Sequence, residues 1–354
     1  MALTLPALAA PQIDTQAETF GAQTLEQALD AQTKASLDGI TPTSGGEFGK
    51  ALWKILSDAL TGSSGAFRAA LLAAGKILAA AMLCAFAAGA QEQEGLKEPA
   101  LLAGAFAITA LCTRDFQSMI GLAREVVQKI SDFTTLLLPV LSSSLAASGG
   151  SVSAGALLAG SSFVMSLLTR LASGVLIPLV YLYVLLSAAE SAMAGGGLGK
   201  IRELAGWTVS LLTKGLCVLF TAYLTLSRFI SGPADAAAVK AAQAAFSGMV
   251  PVVGSILADA SESLLAGAGM IRSTVGIFGM LAVLALAAAP FVRLGAFYLA
   301  LKVAGAIGMD AVCKPHAALI SHLSSAMGYM LAIAGSTLWM SLVSTACFLK
   351  AVSG

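Results

Sequence analysis

Charge is scarce in this chain, and its scarcity argues against a water-soluble fold. Asp, Glu, Lys and Arg make up 11% of the 354 residues, whereas a soluble domain carries about 25%. Apolar residues reach 57%, and the mean hydropathy is +0.86. Because these apolar side chains outnumber the places that one water-surrounded core offers, we expect lipid to act as a second solvent.

The two signs of charge are balanced, which argues against nucleic acid as a partner. Twenty Lys and Arg stand against nineteen Asp and Glu, a net charge of +1. Binding to nucleic acid depends on a basic surface that neutralises phosphates, and this composition does not supply one. We therefore expect no nucleic-acid partner.

Histidine is almost missing, and this weakens every enzyme hypothesis. Only His316 and His322 occur, and neither belongs to an HExxH motif. Cys313 and His316 have a C-x-x-H spacing, but such a pair supplies two of the four ligands that zinc usually takes. We therefore expect no metal, no cofactor and no catalytic residues.

Long runs without charge are abundant. Residues 273–292 are twenty residues without one charged side chain, and a helix of about that length crosses a hydrocarbon core of about 30 Å. The pattern predicts an all-α, polytopic helical membrane protein. Its apolar segments are expected at 69–90, 99–113, 133–147, 157–189, 204–227, 246–258, 273–301 and 317–349.

Two of these segments are too short for simple spans. Residues 133–147 and 246–258 each contain a proline, at Pro139 and Pro251, so we interpret them as half-helices or re-entrant pieces of Pro-broken helices. Residues 114–132 alternate apolar and polar side chains at helical period, which predicts an amphipathic helix at an interface or packed on the bundle.

The chain divides into three parts. Residues 1–46 form a mostly polar N-terminal segment. Its first ten residues resemble the end of a secretory signal peptide that lacks the basic head, so we interpret the segment either as a signal-peptide remnant or as an unstructured N-terminus. Residues 47–66 have the pattern of an amphipathic helix in the membrane interface, with Trp53 in its belt. Residues 67–350 form the helical membrane domain.

A shift of 112 positions aligns the chain with itself without a gap. It places Pro139 on Pro251 and Pro178 on Pro290, and it aligns many small and apolar residues between them. This pattern predicts an internal repeat at about 92–203 and 204–315, with low-complexity coincidence as the alternative. Each copy would hold a short Pro-containing segment and a long helix kinked at a proline.

Charges inside apolar segments are the best candidates for a functional role, because an ionised group in hydrocarbon costs a few kcal/mol. Lys214 has at least ten uncharged residues on either side. We expect it to face the interior, either lining a pore or paired with a carboxylate, and a purely structural salt bridge is the alternative. Its candidate acidic partners are Glu190, Asp259 and Glu262.

Several motifs resemble a known family. Residues 246–254 read Phe-Ser-Gly-Met-Val-Pro-Val-Val-Gly and are followed by Asp259-Ala260-Ser261-Glu262, while Leu138-Pro139-Val140-Leu141 runs on to Ser148-Gly149-Gly150. With the order of segments from about residue 48 to the C-terminus, they resemble the stage III sporulation protein AE family of endospore-forming bacteria. The resemblance implies a polytopic membrane protein with a cleaved signal peptide, encoded with seven others that build a channel between mother cell and forespore.

Our functional hypothesis follows from this resemblance. We expect an integral membrane subunit of a multiprotein trans-envelope channel, located in the mother-cell membrane around the forespore and in contact with other channel subunits and lipid. A stand-alone secondary permease for a small solute is the alternative, favoured by the repeat and the broken helices. The candidate pore-lining or partner-contact residues are Lys214, Pro139, Pro251, Gly254, Asp259 and Glu262.

Overall fold

The protein is helical throughout the part that the structure describes. This structure is a computed structural model, which describes residues 22–37, 40–41, 48–89, 97–193, 197–247 and 253–351, without the side chains of 22, 97–98, 100–101, 228–268, 271 and 309–310. Within these ranges no strand occurs, and six helical segments are long and apolar enough to cross a membrane. The prediction of an all-α, multi-pass membrane protein is confirmed.

The elements follow one another along the chain with short connections. In order they are α1 (Ala22–Gln27), α2 (Ala31–Leu37), α3 (Phe48–Gly62), α4 (Ser64–Gly89), α5 (Lys97–Ala147), α6 (Ser151–Leu171), a π-helical turn (Ala172–Leu176), α7 (Ile177–Ala192), α8 (Leu198–Ser247), α9 (Val253–Ala311) and α10 (Lys314–Lys350).

Successive long helices run in opposite directions. The Ser142 hydroxyl of α5 donates to the Ala154 carbonyl of α6 at 3.2 Å, and the Tyr223 hydroxyl of α8 donates to the Ala156 carbonyl at 2.7 Å. At the other end of the bundle, Ser191 of α7 donates to the Pro315 carbonyl at the start of α10, at 3.1 Å. The starts of α5, α8 and α10 therefore lie at one end, and α6 starts at the other.

The helices α5, α9 and α10 form the centre of the bundle. In their most apolar stretches 61%, 56% and 50% of the residues are buried, against 28% in α4, 33% in α6 with α7 and 28% in α8. The outer helices keep large apolar side chains exposed, such as Phe86 of α4, Phe163 of α6 and Val218 of α8. An apolar outer surface around an apolar core is what lipid contact requires.

Buried hydroxyl groups join α10 to the central helix α5 and to the outer helix α6. Thr134 of α5 and Ser341 of α10 lie 2.7 Å apart, and so do Ser161 of α6 and Ser344 of α10. Hydrogen bonds between small polar side chains hold helices together where lipid removes the hydrophobic driving force.

The prediction that residues 133–147 form a separate half-helix or re-entrant piece is wrong. They are the last part of α5, which runs without a break from Lys97 to Ala147 and includes the predicted amphipathic stretch 114–132. The buried side of that stretch, with Val126, Val127 and Ile130, leads directly into the buried Leu137, Leu138 and Leu141. Because the apolar face is continuous, packing on α9 and α10 preserves the helix through Pro139.

The second pair of predicted proline positions has a mixed outcome. A π-helical turn stands directly before Pro178, whereas α9 continues as a helix through Pro290. The predicted segment 246–258 contains the end of α8 and the start of α9, and Pro251 lies outside the described residues. The internal repeat stays a prediction.

The predicted interfacial helix 47–66 corresponds to α3, which ends earlier, at Gly62. Its small inner face, with Ala51, Ile55 and Ala59, is buried, while Trp53 is 74% exposed. This helix and the short α2 pack against the middle of α9. Of the predicted polar segment 1–46, only 22–37 and 40–41 are described, and they contain α1 and α2.

Candidate functional site

A group of polar and aromatic side chains lies inside the bundle where α7, α8 and α10 meet. We call it the Arg202 cluster, and it consists of Tyr183, Glu190, Arg202, His322 and Tyr329. It stands at the end of the bundle where α7 ends and α8 begins, because Glu190 and Arg202 are each within one turn or so of those helix ends.

The Arg202 guanidinium is the centre of the cluster. Arg202 is 8% exposed, and its Nε donates to Glu190 Oε2 at 2.7 Å in an ion pair between α7 and α8. Its Nη1 lies 3.1 Å from His322 Nδ1 on α10. Because a guanidinium can only donate, Nδ1 is the acceptor, and the proton of a neutral His322 resides on Nε2.

Aromatic rings close the cluster on its inner side. Tyr183 stands edge to face with Tyr329, with the ring centroids 5.3 Å apart, and the Arg202 Cζ lies 5.7 Å from the Tyr183 centroid, within cation–π range. Gly206 makes room for this arrangement, because a Cβ there would collide with the Tyr329 hydroxyl and crowd the Tyr183 ring.

The cluster fastens three helices to one another. A buried cation is tolerated only when a counter-charge and acceptors surround it, and Glu190, His322 and Tyr183 supply these to Arg202. The charged groups therefore satisfy each other. This arrangement is typical of a structural contact between helices and not of a site that binds a substrate.

Sequence reasoning did not find this cluster. Arg202 is the fifth residue of α8, so in the sequence it resembles a charge that flanks a span. The one available signal was the pair Glu190 and Arg202 on either side of a glycine-rich connection. Glu190 was one of three candidate partners for Lys214, and its carboxylate instead forms an ion pair with Arg202.

Lys214 does not face the interior of the chain, contrary to expectation. It is exposed on α8, and no described residue forms an ion pair or a hydrogen bond with its ammonium group. The helix turns the buried Thr213 and Leu216 toward the bundle and leaves Lys214 and Gly215 outside. The helical period fixes this direction, since residues that are one apart point about 100° away from each other.

The other predicted site residues are not brought together in the described part of the chain. Pro139 is exposed on α5. Gly254, Asp259 and Glu262 lie in the first part of α9, and nothing is described of their side chains. Pro251 lies outside the described residues, so a pore-lining or partner-contact role for these residues stays a prediction.

No metal centre is visible among the residues that the structure describes. There, no three His, Cys, Asp or Glu side chains come close enough to hold an ion. His316 of the C-x-x-H spacing is completely buried at the start of α10, packed against Gly104 of α5.

Comparison with known proteins agrees with the resemblance seen in the sequence. Stage III sporulation protein AE of Bacillus subtilis (strain 168) is 26% identical over 200 residues, which cover 56% of this chain and 49% of that protein. The match thus spans about half the length of this curated relative. No solved structure matches the chain.

The family comparison covers far more of the chain. The sequence profile of the family described as stage III sporulation protein AE matches residues 36–351, from α2 to the end of α10. Because that match covers most of the chain, with all six segments among the described residues that are long and apolar enough to span a membrane, the chain belongs to the stage III sporulation protein AE family.

Proposed function

We propose that this protein is an integral membrane subunit of a multiprotein transport channel that endospore formation requires. Family membership supports the role in sporulation, and the six apolar helical segments support the place in a bilayer. The channel, its location in the mother-cell membrane around the forespore and the absence of enzymatic activity are parts of the proposal. A stand-alone permease is not favoured.

The exposed position of Lys214 is the observation that supports a subunit best. Lys214 lies near the middle of the candidate span Leu198–Ser227, where an uncompensated cation costs about 3 kcal/mol in hydrocarbon. No described residue of this chain compensates it. A carboxylate on another membrane subunit would do so.

The surface beside Lys214 suits such a partner. Starting one turn further along α8, an apolar groove of about 770 Å³ runs between α8 and Trp339 of α10. Its lining includes the small or narrow side chains of Cys217, Thr221 and Ala222. Small residues let a second helix approach closely in lipid. We place the subunit contact on this face.

Co-purification from sporulating cells tests the proposal. The tagged wild-type protein should recover small membrane subunits, and Lys214→Glu should lower both this recovery and the spore yield by about tenfold or more, since reversing the charge repels a partner carboxylate. Lys302→Glu is the matched control, because Lys302 is also an exposed cation but lies six residues from the end of its candidate span, where a lysine side chain reaches the interface.

Two results would contradict the proposal. One is a protein that brings down no membrane partner and transports a solute alone in liposomes, as a permease would. The other is a Lys214→Glu variant that sporulates and assembles like the Lys302→Glu control.

A further inference from the structure

A polar cavity lies apart from the Arg202 cluster, where the short N-terminal helices pack on the centre of the bundle. Its volume is about 320 Å³, and its walls come from α2, α3, the middle of α5 and the middle of α9. This size is at the lower end of the range that small-molecule sites occupy, about 300–1,000 Å³. Neither the family match nor the proposed channel role assigns a function to it.

The cavity carries both signs of charge. The ammonium group of Lys129 on α5 forms ion pairs with two carboxylates, because its Nζ lies 3.1 Å from Asp30 Oδ2 and 2.9 Å from Glu125 Oε1. Two further charged residues line the same space, Asp58 of α3 and Arg293 of α9. The structure shows no ion pair between either of these two and another described residue. Asp58 and Arg293, both exposed, therefore place opposite charges on one cavity without an ion-pair partner among the described residues.

The other residues that line the cavity add hydrogen-bond acceptors and an apolar surface. Pro290 lines the cavity and has no N–H, so the carbonyl of Leu286, four residues earlier and also in the lining, lacks its helical donor. Thr33 and Ser63 contribute hydroxyl groups, and Ile55 contributes an apolar surface. A ligand with donors at one end can therefore use the Leu286 carbonyl besides the Asp58 carboxylate.

We propose that this cavity binds a zwitterionic ligand that joins a primary ammonium to a phosphate or carboxylate. The guanidinium of Arg293 pairs with the anionic end, since its planar donors match phosphate and carboxylate oxygens. Asp58 and the Leu286 carbonyl take the ammonium. A ligand of one sign only would leave the opposite charge in the cavity without a partner.

Two sources share this chemistry: the headgroup of a lipid such as phosphatidylethanolamine, and a free amino acid. The outer side of α3 favours the lipid, because Trp53, Leu56 and Leu60 are 74%, 45% and 54% exposed on the helix that carries Asp58. Apolar side chains in that position can lie along acyl chains while the headgroup enters the cavity.

Binding of defined probes to the full chain, purified in detergent, tests the proposal by native mass spectrometry and thermal unfolding. The probes are dihexanoyl phosphatidylethanolamine, its tail-free analogue glycerophosphoethanolamine, free serine, and dihexanoyl phosphatidylglycerol as the anionic comparison. We expect at least one of the three zwitterions to bind one to one and to bind more tightly than phosphatidylglycerol. Binding that needs the acyl chains assigns the site to a lipid, and binding of serine assigns it to a free solute.

Charge variants identify the site. Arg293→Gln and Asp58→Asn should each lower the affinity for the zwitterion by about tenfold or more, because each removes one charge-assisted contact. Lys302→Gln on the same helix and Glu203→Gln on α8 are exposed, lie outside the cavity and should bind like the wild type. If Arg293→Gln does not fold, Arg293→Lys, which keeps the cation, should retain binding while Asp58→Asn loses it.

Three outcomes would overturn the proposal. They are no zwitterion binding at millimolar concentration, equal binding of phosphatidylglycerol, and unchanged binding in Asp58→Asn. All three are read on the isolated chain, so they are independent of whether channel partners co-purify.

Discussion

At the scale of single residues, the unequal exposure of the two partners in the ion pair between α7 and α8 has a measurable effect. The side chain of Arg202 is 10% exposed, whereas that of Glu190 is 32% exposed. Removing the carboxylate leaves a buried cation, and removing the cation leaves a carboxylate that water reaches. Glu190→Gln should therefore lower the free energy of unfolding by about 3 kcal/mol, and Arg202→Gln by less.

Thermal unfolding in detergent measures this difference. Glu203→Gln is the control, because Glu203 Oε1 lies 3.8 Å from Arg202 Nη2 but its side chain is 73% exposed, so the variant should cost well under about 1 kcal/mol. Equal losses for Glu190→Gln and Glu203→Gln would show that burial does not govern this pair.

Asp30 gives a prediction about pH at the same scale. Partial burial tends to raise the pKa of its carboxyl, but hydrogen bonds from the Thr33 side chain and backbone N–H and from Lys129 outweigh burial and leave the pKa below its usual value. A depressed pKa stabilises the folded state at pH values above the ordinary pKa of the group. This stabilisation disappears as the pH falls through the folded-state pKa.

The expected result is local, because the Asp30 side chain is 44% exposed. Hydrogen exchange at α2 should become faster as the pH drops below about 4, beyond the intrinsic pH effect on exchange, while α10 stays protected. Asp30→Asn should remove this extra pH dependence. An unchanged pH profile in that variant would mean that another group controls α2.

At the scale of elements, close contact between α6 and α8 depends on one glycine. A Cβ at Gly160 would overlap atoms of the Tyr223 ring. The Tyr223 hydroxyl donates a hydrogen bond to the Ala156 carbonyl at 2.7 Å. Gly160→Ala should push α8 outward and destabilise the protein by about 1–3 kcal/mol. Gly155→Ala on the same helix meets nothing within 4 Å and should be neutral or stabilising by up to about 1 kcal/mol.

Unfolding temperatures of the two alanine variants decide this point. A Tyr223→Phe variant keeps the ring and loses the hydrogen bond, so it separates the polar from the steric part of the contact. If Gly160→Ala is as stable as Gly155→Ala, the two helices do not approach as closely as described.

At the scale of the whole molecule, alternating helix directions fix which connections share a side of the membrane. The starts of α8 and α10 both lie beside the end of α7, and the start of α6 lies at the other end of the bundle. In a background without the five native cysteines, Lys200→Cys and Lys314→Cys should react with an impermeant thiol reagent from one side. Ser151→Cys should react from the opposite side.

All three residues are exposed in the structure, so burial should not prevent the cysteines from reacting. Labelling of intact protoplasts and of inverted vesicles gives the two sides. Reaction of Lys200→Cys and Lys314→Cys from different sides would contradict the order of helix directions.

Hydropathy and periodicity, which are local properties, determined the class of this protein. The uncharged run 273–292 predicts a span wherever it packs, and the alternation in 114–132 predicts a helix with one buried face. The family could be identified as well, because the motifs around Pro139 and Pro251 are contiguous in the chain. These features needed no knowledge of which helices are neighbours.

Tertiary structure alone decided the partners of the charged residues and the continuity of α5. Glu190 meets Arg202 and not Lys214 because the rotation of α8 about its axis turns Arg202 inward and Lys214 outward, and hydropathy does not report this rotation. Packing on α9 and α10 keeps α5 helical through Pro139. The polar cavity joins α3 to the middle of α9, and so it exists only once distant segments have packed together.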